Sequence, residues 1–304
     1  MVSRRNIRVK VMQVLYMLGS QQEMNEKIKA TKVLQTRLAD ITNLFLYLLH
    51  FLIKTALYAE TDAKQRASKH LLTREDLNVN KKISANLLLQ KILKNESFKN
   101  SKPIDFDDTN QQVKKIYQNM AASEAYQKYI GTQTREKNTE AAIIKFIFTD
   151  LMLPDENFTS HLEEHFMNWD DDAGLMNQLM LHFLQKPDSY NLEQLLGDDK
   201  WQFAKQLLET VIDKKELITD MIKPRLKNWD SERIALLDMI LMRMGVCEFL
   251  FFETIPPKVT INEYIDLAKE YSTEQSGHFV NGILDSIHKE LLAGNKIHKI
   301  DFKQ

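Results

Sequence analysis

Turn-forming residues are scarce in this sequence: eight glycines and six prolines serve 304 residues. Glycine and proline most readily reverse or stop a backbone, so a chain with so few of them must run in long elements joined by few sharp turns. No apolar–polar alternation of any length argues for a strand, whereas apolar residues recur at three- and four-residue spacing through most of the chain. The expectation is an all-α fold. An apolar content of 43% is enough for a real core, and 27% charged residues suit a soluble surface. The single cysteine, Cys247, lies in an apolar helical run and reads as a buried, inert thiol, and no disulfide framework is possible. The first residues are basic but lack the apolar core and cleavage site of a secretory signal. Leu44–Ile53 (LFLYLLHFLI) is strongly apolar, yet it is short for a membrane span and holds His50, so it reads as a buried helix. A cytoplasmic protein with no membrane segment is expected.

Ser3 as an N-cap and Gly19 as a stop bracket a first helix, with Ile7, Val11, Val14 and Leu18 on one side. Further helical patterns cover about Thr31–Lys69, Arg74–Leu93, Thr109–Tyr129 and Glu136–Leu153. The stretch Asn95–Thr109 reads as the best linker. Asn168-Trp169-Asp170 recurs as Asn228-Trp229-Asp230 among similarly spaced apolar residues. That echo fits a duplicated helical hairpin or two helix pairs with the same spacing.

The net charge of −1 conceals segregation. Residues 150–199 hold twelve acids and one lysine, and residues 61–102 hold ten basic residues against four acids. Residues 1–20 hold Arg4, Arg5, Arg8 and Lys10 and no acid. Separate basic surfaces suit a polyanion, although solvated helix faces give the same pattern over 61–102. Arg4, Arg5 and Arg8 are spaced to present three guanidiniums on one helix flank, with Tyr16 farther along it. Guanidinium forks grip phosphates and an aromatic ring stacks on an unpaired base, the pairing expected of a single-stranded RNA site. A solvated N-terminal helix is the competing reading. His161-Leu162-Glu163-Glu164-His165 fits the H-x-x-E-H pattern of inverted zinc peptidases. Short motifs match by accident, however, and no third-ligand motif accompanies this one, so no metal is expected. Asp170–Asp172 reads as a helix cap rather than a cation site. With no Gly-rich phosphate loop, no G-x-S-x-G and no Cys/His array, neither an enzyme nor a cofactor is expected.

The most specific stretch is Ile255–Asp285, which reads as a helix opening near Thr260–Asn262, a polar turn over Tyr271–Gly277 and a second helix from about Phe279. It contains, in order, Pro257, Lys258-Val259, Ile261-Asn262-Glu263, Ile265-Asp266-Leu267-Ala268-Lys269, Phe279-Val280-Asn281-Gly282 and Leu284-Asp285. These residues resemble the C-terminal signature of the NusB family of bacterial transcription antitermination factors. Ser3–Leu18, with its arginines followed by Leu15-Tyr16, resembles the family's first helix. Phe203–Ile287 resembles the rest of its domain, including the run Arg243–Glu248. Family members join these blocks by a short connection, whereas about 180 residues intervene here.

The resemblance implies a NusB-like helical bundle of residues 1–20 with 200–292, a large helical insertion over 21–199 and a basic tail over 293–304. It implies a transcription antitermination factor that binds boxA-type single-stranded RNA of nascent ribosomal RNA together with a small-subunit ribosomal protein. The RNA polymerase elongation complex would be an indirect partner. It assigns RNA contact to Arg4, Arg5, Arg8, Tyr16 and Phe279, and contact with the protein partner to Asp238, read as an exposed acid. Phe279 on its own pattern fits a core aromatic as well. Gln275 departs from the family, which commonly has an acid after the glutamate of the turn. Two other readings stay open: a helical protein-interaction adaptor without RNA binding, and an accessory module for RNA modification. The second follows because a similar helical module fronts a family of RNA cytosine methyltransferases, although no catalytic cysteine motif or cofactor turn is found here.

Overall fold

The computed structural model describes residues 2–20, 27–226 and 235–300, apart from the Glu75 side chain. All regular structure among the described residues is helical. In chain order the first helices are α1 (Arg4–Ser20), α2 (Lys27–Ala67), α3 (Arg74–Leu77), α4 (Leu87–Lys94) and α5 (Glu96–Asn100). There follow α6 (Thr109–Ala122), α7 (Glu124–Gly131), α8 (Lys137–Phe146), α9 (Glu156–His165) and α10 (Trp169–Gln185). The last five are α11 (Asp198–Asp213), α12 (Lys215–Ile222), α13 (Leu236–Phe251), α14 (Pro257–Tyr271) and α15 (Glu274–Ala293). The chain forms two compact units, one of Ala39–Leu195 and one of Val2–Leu38 with Leu196–Gln304, and α2 contributes to both.

The unit containing both ends is organised around α13. That helix is apolar on every side, burying Ile240, Leu241, Met242, Met244, Val246, Cys247 and Phe249, and a helix of this kind must be surrounded. Helices α1, α11, α12, α14 and α15 pack around it. Its closest approach is at Gly245, where a Cβ would lie 2.9 Å from a Leu284 methyl and 3.3 Å from the Tyr264 ring. From α1, Ile7, Val11, Val14, Leu15 and Leu18 are buried.

Local chemistry sets the ends of these helices. The Asn6 amide donates to the Ser3 hydroxyl at 3.3 Å, capping α1. Proline fixes a helical φ and is well placed in a first turn, so α14 opens at Pro257 rather than near Thr260–Asn262. The Thr273 hydroxyl accepts from the Ser276 amide at 3.0 Å, so α15 opens at Glu274 and the polar turn is much shorter than Tyr271–Gly277. Asn295 adopts a left-handed φ of 53° just past α15. The chain then doubles back: Lys299 Nζ donates to the Glu248 and Phe252 carbonyls, each at 2.7 Å. The Ile300 amide donates to the Glu253 carbonyl at 3.0 Å. The described part of the expected basic tail therefore caps the C-terminus of α13, and burial lowers the Lys299 pKa.

In the other unit the core is α2, which buries Phe45, Tyr47, Leu48, Leu49, Phe51 and Leu52. By length and composition α2 could cross a membrane, but 61% of its most apolar window is buried inside the fold. The pattern over Arg74–Leu93 breaks into α3, a 3-10 turn at Lys82–Ala85 and α4. Asn86 makes the break: its side-chain oxygen accepts from the Leu88 and Leu89 amides at 2.9 and 3.1 Å, and its Nδ2 donates to the Glu140 carbonyl at 2.8 Å. Asn86→Ala removes a cap and leaves a buried carbonyl without its donor. It should lower stability by about 2 kcal/mol, measurable as a shifted urea midpoint at constant slope. The pattern over Thr109–Tyr129 is likewise divided at Ser123, whose hydroxyl caps α7, and α8 runs into a π-helical turn at Ile147–Met152.

Asn95–Thr109 is not a linker. Asn95 donates to the Pro187 and Tyr190 carbonyls at 2.7 and 2.8 Å and Phe98 is buried, so the segment is docked within its own unit. The second Asn-Trp-Asp triplet, Asn228–Asp230, lies outside the described residues.

Candidate nucleic-acid interface

The arginines at the start of α1 occupy three different environments. Arg8 is 2% exposed and meets Glu248, which is 0% exposed, through two parallel hydrogen bonds of 2.7 and 3.0 Å. Its remaining guanidinium nitrogen donates to Glu263 at 3.2 Å. Glu248 also accepts from the Thr260 and Tyr264 hydroxyls at 3.0 and 2.9 Å. Burial alone would make Arg8 easier to deprotonate, but the hydrogen bond and charge of Glu248 outweigh it and raise the Arg8 pKa. Burial, reinforced by the Glu248 charge, also drives the Tyr264 hydroxyl pKa well above its ordinary value. Arg8 therefore joins α1 to α13 and α14, and it does not stand on an open flank. That corrects its assignment to direct RNA contact: a guanidinium 2% exposed and bonded to two carboxylates offers a phosphate no open surface.

Arg5 is partly exposed and reaches a row of acids on α14: Glu270 at 2.8 Å, Asp266 at 3.8 Å and Glu263 at 3.9 Å. Surface pairs of this kind contribute about 0–1 kcal/mol, so a phosphate could compete for the guanidinium. Arg4 is exposed and carries no ion pair among the described residues; its guanidinium lies 5.5 Å above the Phe203 ring. The Arg8 guanidinium is 5.6 Å from the same ring, so this α11 aromatic supports both cations. Tyr16 is 47% exposed on α1, about 18 Å along the helix axis from Arg4 at 1.5 Å rise per residue.

Phe279 is half-buried in α15. It is neither a core aromatic nor fully open. Two residues earlier, Gly277 lets α15 close on α14: a Cβ there would fall 2.6 Å from the Lys269 side chain. Lys269 is the neighbour of Glu270, the residue that holds Arg5. Arg5 and the first turn of α15 thus both rest on the C-terminal half of α14. Gln275 is exposed in that first turn.

Asp238 departs from expectation. It is 6% exposed in the first turn of α13, and its Oδ1 finds no hydrogen-bond partner among the described residues. A buried carboxylate at a helix N-terminus is favoured by the helix dipole, but it offers a partner protein little surface, which corrects its reading as an exposed contact.

The partners that position this site, Phe203, Glu248 and Glu263, carry no spacing that marks them as site residues. One signal was available for Glu248. It is an acid inside the otherwise apolar run Gly245–Leu250, and a buried carboxylate needs a cation.

Comparison with known proteins places these residues in context. The model of the NusB family matches residues 165–289. A protein named transcription antitermination protein NusB from Methylacidiphilum infernorum is 40% identical over 118 residues, covering 39% of this chain and 77% of the relative. One of the same name from Thermodesulfovibrio yellowstonii is 41% identical over 106 residues, covering 35% of this chain and 70% of the relative. Another from Chloroherpeton thalassium is 39% identical over 108 residues, covering 35% of this chain and 51% of the relative. No solved structure matches the chain.

Proposed function

Because this chain belongs to the NusB family, we propose that it is a transcription antitermination factor, a non-catalytic cytoplasmic adaptor that binds boxA-type single-stranded RNA together with a small-subunit ribosomal protein. Through that complex it lets RNA polymerase read past terminators. The observation that carries the RNA part of this reading is the exposed flank of α1. Arg4 is free of ion pairs among the described residues and Tyr16 is open, on a helix anchored by the buried Arg8–Glu248 pair. Arg4 would hold a phosphate, Arg5 would exchange its α14 carboxylates for a second, and Tyr16 would stack on a base. Phe279, half-buried, would add a second ring. Arg8 serves as a positioning residue.

The acidic stretch of residues 150–199 would repel RNA, so its role in this reading is toward a basic protein partner. A second reading is a helical protein-interaction adaptor without RNA binding. What favours it is the neutralisation of Arg5 by three acids and the burial of Arg8, which leave less positive charge on the flank than the arginine count implies.

Titrating labelled boxA-type and scrambled RNAs, with and without the ribosomal protein, separates the two readings. The first predicts tighter binding of the boxA-type RNA and a further gain when the protein is present. Equal weak binding of both RNAs, unaffected by the protein, would favour the second.

A further inference from the structure

Outside the α1 site, one cluster of side chains carries chemistry that the family reading does not use. His161 and His165 lie one turn apart on α9, and the fold brings Asp108 to them from 53 residues upstream. One ligand atom from each of the three lies within 4.8 Å of the other two. We propose that Asp108, His161 and His165 bind a single divalent transition-metal ion of the Zn²⁺ class, which clamps the segment preceding α6 to the end of α9.

The donor set is appropriate. Two imidazoles and one carboxylate suit Zn²⁺, which favours such ligands at about 2.0–2.2 Å in tetrahedral geometry. Tetrahedral ligands at that distance stand about 3.3 Å from one another. His161 Nδ1 and Asp108 Oδ2 are already 2.9 Å apart, so this edge needs to open only slightly. The widest separation allowed by the 4.8 Å limit needs to close by at most about 1.5 Å, within reach of small χ rotations by the more exposed His165 and Asp108.

The supporting residues hold the rings in orientation. The His165 ring stacks on Phe106 at 3.7 Å with an interplanar angle of 4°. The second His161 nitrogen, Nε2, is 2.6 Å from the Tyr47 hydroxyl. Metal-bound histidines characteristically donate their other ring N–H to an oxygen acceptor, a place the Tyr47 hydroxyl can fill. When Nδ1 takes the metal, the imidazole proton sits on Nε2 and is donated to Tyr47 Oη. The Tyr47 hydroxyl hydrogen then turns toward Thr109 Oγ1, 3.5 Å away. The histidine stays neutral and every proton has a place. Asp108 holds the N-cap position of α6 yet makes no side-chain cap bond, leaving its carboxylate to face His161. Its side chain is 43% exposed, so the ion has a route in and the fourth coordination position is open to water.

Isothermal titration of Zn²⁺ into chelator-treated, tag-free full-length protein tests the site, with Co²⁺ absorption as a second readout. The expected result is one saturable Zn²⁺ per chain, d–d bands of four- or five-coordinate Co²⁺ and a raised melting temperature. His165→Ala and Asp108→Asn should each weaken the affinity at least tenfold while leaving the far-ultraviolet circular dichroism unchanged. His165 is exposed, and Asp108 makes no side-chain cap bond that asparagine would lose. Absence of saturable binding in the wild type, or equal affinity in both variants, would overturn the proposal.

Discussion

Replacing Arg8 with alanine is expected to lower the unfolding free energy by about 3–5 kcal/mol, the usual cost of leaving one member of a buried ion pair alone. The loss would come from Glu248, stranded at 0% exposure with, among the described residues, the Thr260 and Tyr264 hydroxyls left to bond its carboxylate. Arg8→Lys should recover little, because one ammonium cannot make two parallel bonds to Glu248 and a third to Glu263. Urea unfolding checks this directly. A loss below about 1 kcal/mol would mean that the pair does not hold α1 against α13 and α14. The same reasoning means that an alanine replacement of all three arginines would mix unfolding with loss of RNA contact, so RNA experiments must leave Arg8 in place.

Tyr16→Ala should have the opposite profile. At 47% exposure its removal should change stability by no more than about 0.5 kcal/mol, as at most surface positions. If the ring stacks on a base, RNA affinity falls by about 1–3 kcal/mol, roughly 5- to 150-fold. The salt dependence of binding should barely move, because no phosphate contact is lost. Anisotropy titrations at two salt concentrations, paired with a melting curve, read all three quantities. Unchanged affinity would remove Tyr16 from the RNA face.

The class of fold was plain in the sequence because helical spacing and scarce turn formers leave no room for a sheet, and the motif around Pro257–Asp285 carried the family. What periodicity could not locate were breaks made by side chains. Asn86 and Ser123 sit in runs that look helical, and both interrupt them by capping the helix that follows. Nor could spacing distinguish Arg8 from Arg4. Both fall on one flank of α1, and only the partner decides which is buried; Glu248 lies 240 residues away. Asp238 is buried because α13 is enclosed almost all round, and a lone acid in the sequence does not reveal that enclosure. Likewise, the third side chain beside His161 and His165 comes from another part of the chain.

RNA binding by the α1 flank is tested most directly by the slope of log affinity against log salt concentration for boxA-type RNA, compared between the wild type and Arg4→Ala/Arg5→Ala with Arg8 intact. The expected result is a folded variant whose slope is shallower by roughly 0.7 for each lost single-strand phosphate contact. An unchanged slope in a folded variant would contradict it and place the RNA, if any is bound, elsewhere on the molecule.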